Sequence, residues 1–294
     1  MLRGCVIGIV LLRGLPAQCQ DADAARLLEE ANTSYRQLRS DDAVRLYRDY
    51  LKLCPQRADV RVFLGAALLN LNRLDEALAE AQRALKQDAR MAKAYVLEGR
   101  VYSARQQWDL AAGCFEKAVA LQPNDSDAWY FAGRAACEAD HCQKAVEDFR
   151  SALQFAPRES RVYEGLGLAY ETLGQSAEAE RAYRQALQLE SSSYRPAFAL
   201  GQFLFKQGRG PESLPYFETA LRLAPDSAEV RFEFGRALYQ MGKGSQAKQI
   251  LEQGLPTHDC RLYNLLAKIL RQGGEGADAD RQLAAWRRCV SEPN

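Results

Sequence analysis

Apolar and small side chains recur along this chain in a pattern that repeats every 34 residues. Gly65, Gly99, Gly133, Gly167, Gly201 and Gly235 keep that interval without a slip. A period in the range of roughly 20–50 residues marks a supersecondary unit that buries its apolar face only against its neighbours. The pattern therefore predicts an all-helical array of hairpins, none of them stable alone.

Blocks starting at residues 24, 58, 92, 126, 160, 194 and 228 bring the positions into register. The eighth place is Ala31 and then the six glycines, and the twentieth reads Ala43, Ala77, Ala111, Ala145, Ala179, Ser213 and Ala247. The twenty-fourth reads Tyr47, Ala81, Phe115, Phe149, Tyr183, Phe217 and Leu251. Ala84, Ala118, Ala152, Ala186 and Ala220 hold the twenty-seventh, and Pro55, Ala89, Pro123, Pro157, Ser191 and Pro225 the thirty-second. A helix-interior glycine costs about 1 kcal/mol relative to alanine, so six of them need a compensating gain. Small residues at places eight and twenty let the two helices of a hairpin approach closely. The aromatic at twenty-four is expected to fill the space between one repeat and the next. Proline at thirty-two punctuates the junction. Asp226, Ser227 and Glu229 read as a capped helix start. A last block opens at Cys260, two residues early, and Pro256 is expected to shorten the helix before it.

Small, small, aromatic, small and proline at these offsets, with Trp129 at the fourth place and Tyr102 and Tyr170 at the eleventh, closely resemble the tetratricopeptide repeat. The resemblance covers residues 24 to about 293 in eight repeats, about 24–57, 58–91, 92–125, 126–159, 160–193, 194–227, 228–259 and 260–293. It implies a right-handed α-solenoid superhelix acting as a non-catalytic scaffold for other proteins. It also implies a concave groove lined by places two, five, nine, twelve and thirteen of each first helix. In the first three repeats those places are mixed. In the sixth they are Arg195, Phe198, Gln202, Phe205 and Lys206, and in the seventh they include Phe232, Arg236 and Tyr239. The eighth adds Arg261, Asn264, Lys268 and Arg271. Aromatics interleaved with cations suit an extended, acidic peptide, although Phe198 and Phe232 equally suit packing between repeats. The two-carboxylate clamp of the chaperone-tail-binding members is not present. Asn32 and Lys93 match it, but Leu28, Phe63 and Leu97 occupy the other places.

A formal net charge of +1, from 39 basic and 38 acidic side chains, excludes the strongly basic footprint of a nucleic-acid binder. It equally excludes a polybasic membrane anchor. The first twenty residues differ from the rest. Arg3 precedes the apolar run Cys5 to Leu12, and Ala17 and Cys19 suit a cleavage site before Gln20. Residues 1–20 are thus expected to be a secretory signal ahead of an array over 21–294, giving a periplasmic or secreted protein. The apolar run falls well short of the roughly 20 residues of a membrane span. Two alternatives stay open. The run is an apolar helix packed on the first repeat of a cytoplasmic protein, or Cys19 is acylated, although Gln18 fits that poorly.

Six further cysteines remain: Cys54, Cys114, Cys137, Cys142, Cys260 and Cys289. Export would permit Cys137–Cys142 and Cys260–Cys289 bridges, the second stapling the last repeat. The alternative is six buried thiols. Neither His141 nor His258 has the partner spacing of a nucleophilic site. Cys137, His141 and Cys142 offer three zinc ligands where a structural site wants four. Gly208-Arg209-Gly210 and Gly273-Gly274 are turns at the fifteenth place, without the Lys-Ser/Thr of a phosphate loop. No enzyme activity and no cofactor are therefore expected. The last helix bears a Leu283, Trp286 and Val290 stripe, so self-association through the C-terminal repeat is a further expectation. An assembly role in an envelope complex and a regulatory subunit of a separate enzyme are the competing functions.

Overall fold

The computed structural model describes Cys19 and residues 21–291. The expected secretory signal therefore lies, apart from Cys19, outside the described residues. Two compact units divide the chain, the first ending at Ala156 and the second beginning at Pro157. The first unit consists of α1 (Ala22–Arg36), α2 (Ser40–Leu53), α3 (Ala58–Asn70), α4 (Leu74–Gln87), α5 (Ala92–Ala104), α6 (Trp108–Leu121), α7 (Ser126–Glu138) and α8 (Cys142–Phe155). The second consists of α9 (Ser160–Thr172), α10 (Ser176–Leu189), α11 (Tyr194–Lys206), α12 (Gly210–Leu223), α13 (Ala228–Gln240), α14 (Gly244–Glu252), α15 (Cys260–Gln272) and α16 (Gly276–Ser291). Each odd-numbered helix forms a hairpin with the even-numbered helix after it, as the repeat predicts. Among the described residues there is no strand, and no helix is long and apolar enough to cross a membrane.

The glycines are present for space. A Cβ on Gly133 would lie 2.8 Å from the Phe149 ring, and one on Gly167 would lie 2.6 Å from Tyr183. The ring at place twenty-four thus sits in the glycine notch of its own hairpin. The same ring also reaches forward within its unit, as expected: Phe115 stacks on Phe131 at 5.6 Å and Phe217 on Phe234 at 6.0 Å. Where place twenty-four is only Ala81, Leu97 of the following repeat fills the notch at Gly65. The alanines at places twenty and twenty-seven are fully buried from Ala77 to Ala220.

Every hairpin turns through one left-handed residue at the fifteenth place: Leu38, Asn72, Gln106, Asp140, Gly174, Gly208, Gly242 and, after the two-residue shift, Gly274. The N–H that follows it returns to a carbonyl five residues back, as in Arg39 to Ser34 and Arg209 to Leu204, each at 2.9 Å. This six-to-one bond is the Schellman closure, which satisfies a carbonyl left open at the helix end. Ser227 caps α13 through the Val230 N–H, as the sequence predicts, and Asp125 and Asp259 cap α7 and α15. Pro256 lies in a short 3-10 turn (Leu255–Thr257) and leaves α14 with nine residues.

A tie between successive repeats recurs at the fourth place. Its side chain donates to the carbonyl at place thirty-two of the preceding repeat. Arg61 reaches Pro55 (2.7 Å), Trp129 reaches Pro123 (2.8 Å), Tyr163 reaches Pro157 (3.2 Å) and Arg231 reaches Pro225 (2.7 Å). Proline does not continue the helix, so its carbonyl is free to accept.

Two disulfides tie the outermost hairpins of the two units. Cys260 bonds Cys289, with Cα atoms 5.6 Å apart, as the sequence allows. Cys19 bonds Cys54, with Cα atoms 5.5 Å apart, which corrects the expectation that Cys54 is a buried thiol. Cleavage before Gln20 would sever that bond's partner from the array. Cys137 and Cys142 remain thiols, with Sγ atoms 3.5 Å apart.

Candidate functional site

The second unit gathers half of the residues expected to line a groove. Phe232, Arg236 and Tyr239 of α13 join Arg261, Asn264 and Lys268 of α15 around one cleft of about 460 Å³. Leu265 and Gln240 complete those two walls, and Trp286 and Val290 of α16 supply a third. The lining residues of α13 and α15 recur three and four apart along each helix, which sets them on one face.

The other six expected residues lie elsewhere. Phe198 is only 7 % exposed and packs on Tyr194 and Phe217, so the packing reading holds for it. Gln202 and Phe205 of α11 are half-buried, and the Arg236 guanidinium lies 5.5 Å from the Phe205 ring centroid. Lys206 pairs with Glu171 at 2.9 Å, and Glu171 also accepts from the Tyr183 hydroxyl. Arg195 is exposed and faces the Glu164 carboxyl, which burial pushes up and Arg195 draws back down. Arg271 turns to Asp280 of α16.

The cations are less open than their sequence suggests. Arg236 pairs with Glu233 one turn earlier on its own helix. Arg261 forms a two-point bond to Asp259, with a shortest contact of 2.6 Å. That bond holds the Asp259 carboxyl below its usual range and raises the guanidinium. The same arginine covers Phe232, 5.0 Å from the ring centroid. Cation–π contact and ion pairing thus fix both guanidinium groups in place and neutralise much of their field. Lys268 is exposed and has no ion pair among the described residues. An inner face with one open cation among aromatic rings suits a mixed apolar and acidic segment better than a uniformly acidic one.

Trp286 and Val290 lie outside the expected set, because a second helix is ordinarily reserved for packing. The Leu283, Trp286 and Val290 stripe is the signal that could have placed them. Val290 is 56 % exposed, and Trp286 is half-buried at the cleft.

Hairpins repeated at one interval, with a lined face on their first helices, define an α-solenoid of the protein-interaction type. A family profile described as "Tetratricopeptide repeat" matches residues 28–92, 96–160 and 164–228, and a second matches 204–269. The chain belongs to the tetratricopeptide repeat family, whose members bind other proteins and whose fold is generally a non-catalytic scaffold. Among solved structures, it is similar to a tetratricopeptide repeat protein from Parabacteroides merdae. That match has 14 % identity and a TM-score of 0.67, covering 85 % of this chain and all of the other. Pseudomonas aeruginosa pilF matches with 21 % identity and a TM-score of 0.58, over 67 % of this chain and 89 % of its own. Both likenesses concern the fold. Mouse "DnaJ homolog subfamily C member 7" is 25 % identical over 124 residues, 41 % of this chain. The chain spans about a quarter of that relative's length.

Proposed function

We propose that the protein is a scaffold that holds an extended segment of another polypeptide along the inner face of α11, α13 and α15. The carrying observation is the cleft where Phe232, Tyr239 and Asn264 stand half-exposed beside Lys268. Rings supply contact area at little entropy cost, and the polar groups between them fix register. Photo-crosslinking tests the reading directly. A benzophenone side chain at Tyr239 should label a partner in cells, and one at the exposed Leu110 of α6 should not. Equal labelling from both positions would reject an inner-face site.

We further propose that the protein works in an oxidising compartment and keeps Cys19, so that no cleavage falls before Gln20. The Cys19–Cys54 and Cys260–Cys289 bonds support this, because disulfides of this kind persist outside reducing cytosol. Alkylation of freshly lysed, fractionated cells should find all four sulfurs blocked. Free thiols at Cys260 and Cys289 would overturn it.

A further inference from the structure

We infer that the cleft between α13, α15 and α16 is a pocket for one bulky apolar side chain with a carboxylate beside it, and that the Cys260–Cys289 disulfide holds one of its walls. This rests on the reading of the second unit as a scaffold for an extended polypeptide. It adds the chemistry of the segment and the means by which the pocket is kept in shape.

The walls are apolar on three sides. Phe232 and Tyr239 come from α13, Leu265 from α15, and Trp286 and Val290 from α16. A peptide backbone alone would leave that surface uncovered, so the geometry asks for a large side chain. Three cations, Arg236, Arg261 and Lys268, also reach the lining, and among the described residues no carboxylate does. Two of them are already met by Glu233 and Asp259. Lys268 is not, and Asn264 sits one turn before it on the same face of α15. An ammonium and an amide at that spacing serve a single carboxylate. A long acidic run would find no second open cation here.

The third wall depends on the disulfide. Helix α16 buries only Ala279 fully, close to its start. Its last turns carry Trp286 and Val290, and Cys289 between them is bonded to Cys260 at the start of α15. The bond therefore sets how far Trp286 and Val290 stand from Phe232 and Tyr239. Without it, the last turns of a helix with so little burial fray.

The test is selection of random twelve-residue peptides displayed on phage against the full-length, oxidised protein. Enriched peptides are then synthesised and titrated by fluorescence polarisation. Expected is a consensus of an aromatic or branched apolar residue within two positions of Asp or Glu. Lys268→Glu and Trp286→Ala should each weaken such a peptide by about tenfold, while Lys268→Arg retains it. Cys289→Ser should weaken it several-fold, and dithiothreitol should do the same to the parent protein while adding nothing to Cys289→Ser. Circular dichroism of each variant shows whether the helices persist. Failure to enrich peptides, or enriched peptides that bind Lys268→Glu and Trp286→Ala as tightly as the parent, would overturn the pocket. Peptides lost on Lys206→Glu but not on cleft substitutions would overturn it and leave the scaffold reading intact. Peptides indifferent to every inner-face substitution would sink both. A dimer that dissociates on Trp286→Ala in sedimentation would give the cleft to a second copy of the chain and likewise overturn the assignment.

Discussion

The two units build the same hairpin turn from different residues. In the first, the left-handed fifteenth place holds Leu38, Asn72, Gln106 and Asp140; in the second it holds Gly174, Gly208, Gly242 and Gly274. The dihedral hardly changes, with φ at 58° in Leu38 and 75° in Gly208. Helix packing and the six-to-one closure therefore impose the conformation, and the residue only sets its cost. A left-handed non-glycine residue is strained by roughly 1–2 kcal/mol, less for Asn and Asp. The first unit carries that strain at turns where nothing is gained by it. Leu38, at 81 % exposed, does not even bury its side chain. The units also differ in their inner faces, since the cleft lined by rings and cations belongs to the second.

Four measurements bear on this comparison, the largest effect first. Each unit has one terminal disulfide, closing sequence separations of 35 and 29 residues. Cys54→Ser and Cys289→Ser should each cost about 2–4 kcal/mol locally. Hydrogen exchange should place the first loss in α1 and α2 and the second in α15 and α16. A loss spread evenly over the chain would contradict repeat-by-repeat stability.

Next come the notches. Gly133→Ala in the first unit should destabilise by about 1–3 kcal/mol, because its Cβ would press on the Phe149 ring at 2.8 Å. Gly201→Ala in the second should be near neutral. Its Cβ meets Phe217 only at 3.3 Å, and alanine's helix propensity offsets the squeeze. Urea unfolding of both variants checks the contrast.

A buried acid is the third point of difference. Asp148 of α8 is 3 % exposed, and burial pushes its carboxyl up to about 6 despite Lys144 at 3.4 Å. A raised carboxyl favours its neutral form in the folded state. Its contribution is fully present below the ordinary value near 3.8 and is lost as pH rises through about 6. Asp148→Leu should therefore stabilise the protein by about 1–2 kcal/mol at neutral pH and by less near pH 4. Thermal melts at the two pH values read the difference; an equal gain at both would reject the ionisation argument.

The smallest effect tests the turn itself. Leu38→Gly should stabilise by about 0.5–1 kcal/mol, and Gly208→Leu should destabilise by about 1–2 kcal/mol. Equal tolerance at both turns would mean that the first unit relaxes its backbone in a way the second does not.

The repeat, its eight blocks and the shortened helix before Cys260 were legible because spacing is a property of the chain itself. Glycine opposite an aromatic sixteen residues later implies a notch without any coordinates, as Gly133 and Phe149 show. The chemistry of the inner face was legible only in part. Glu233 stands one turn before Arg236, so that pair could have been foreseen. Lys206 meets Glu171 from a repeat earlier, and no local rule foretells it. Trp286 was hidden by its place on a second helix. The Cys19–Cys54 bond was hidden by the expectation that Cys19 departs with the signal. The ties at the fourth place were visible as Trp129 but not as a series, because Arg, Trp and Tyr share only their ability to donate a hydrogen bond.

One member of that series is missing. The sixth repeat has Ala197 at the fourth place, and alanine has nothing to donate to Ser191. Where its neighbours are stitched backwards by that bond, α11 and the turn after it are held to the preceding hairpin by packing and by charged pairs, Lys206 with Glu171 and Arg209 with Glu180. In a linear stack, each interface carries its own share of the stability, so a change in what holds one seam is felt at that seam first. This seam lies within the second unit, between the hairpin of α9 and α10 and that of α11 and α12, and charged pairs take the place of the missing bond. Raising the salt concentration, which screens such partly exposed pairs, should therefore loosen this seam while sparing the neutral bonds of Trp129 and Tyr163.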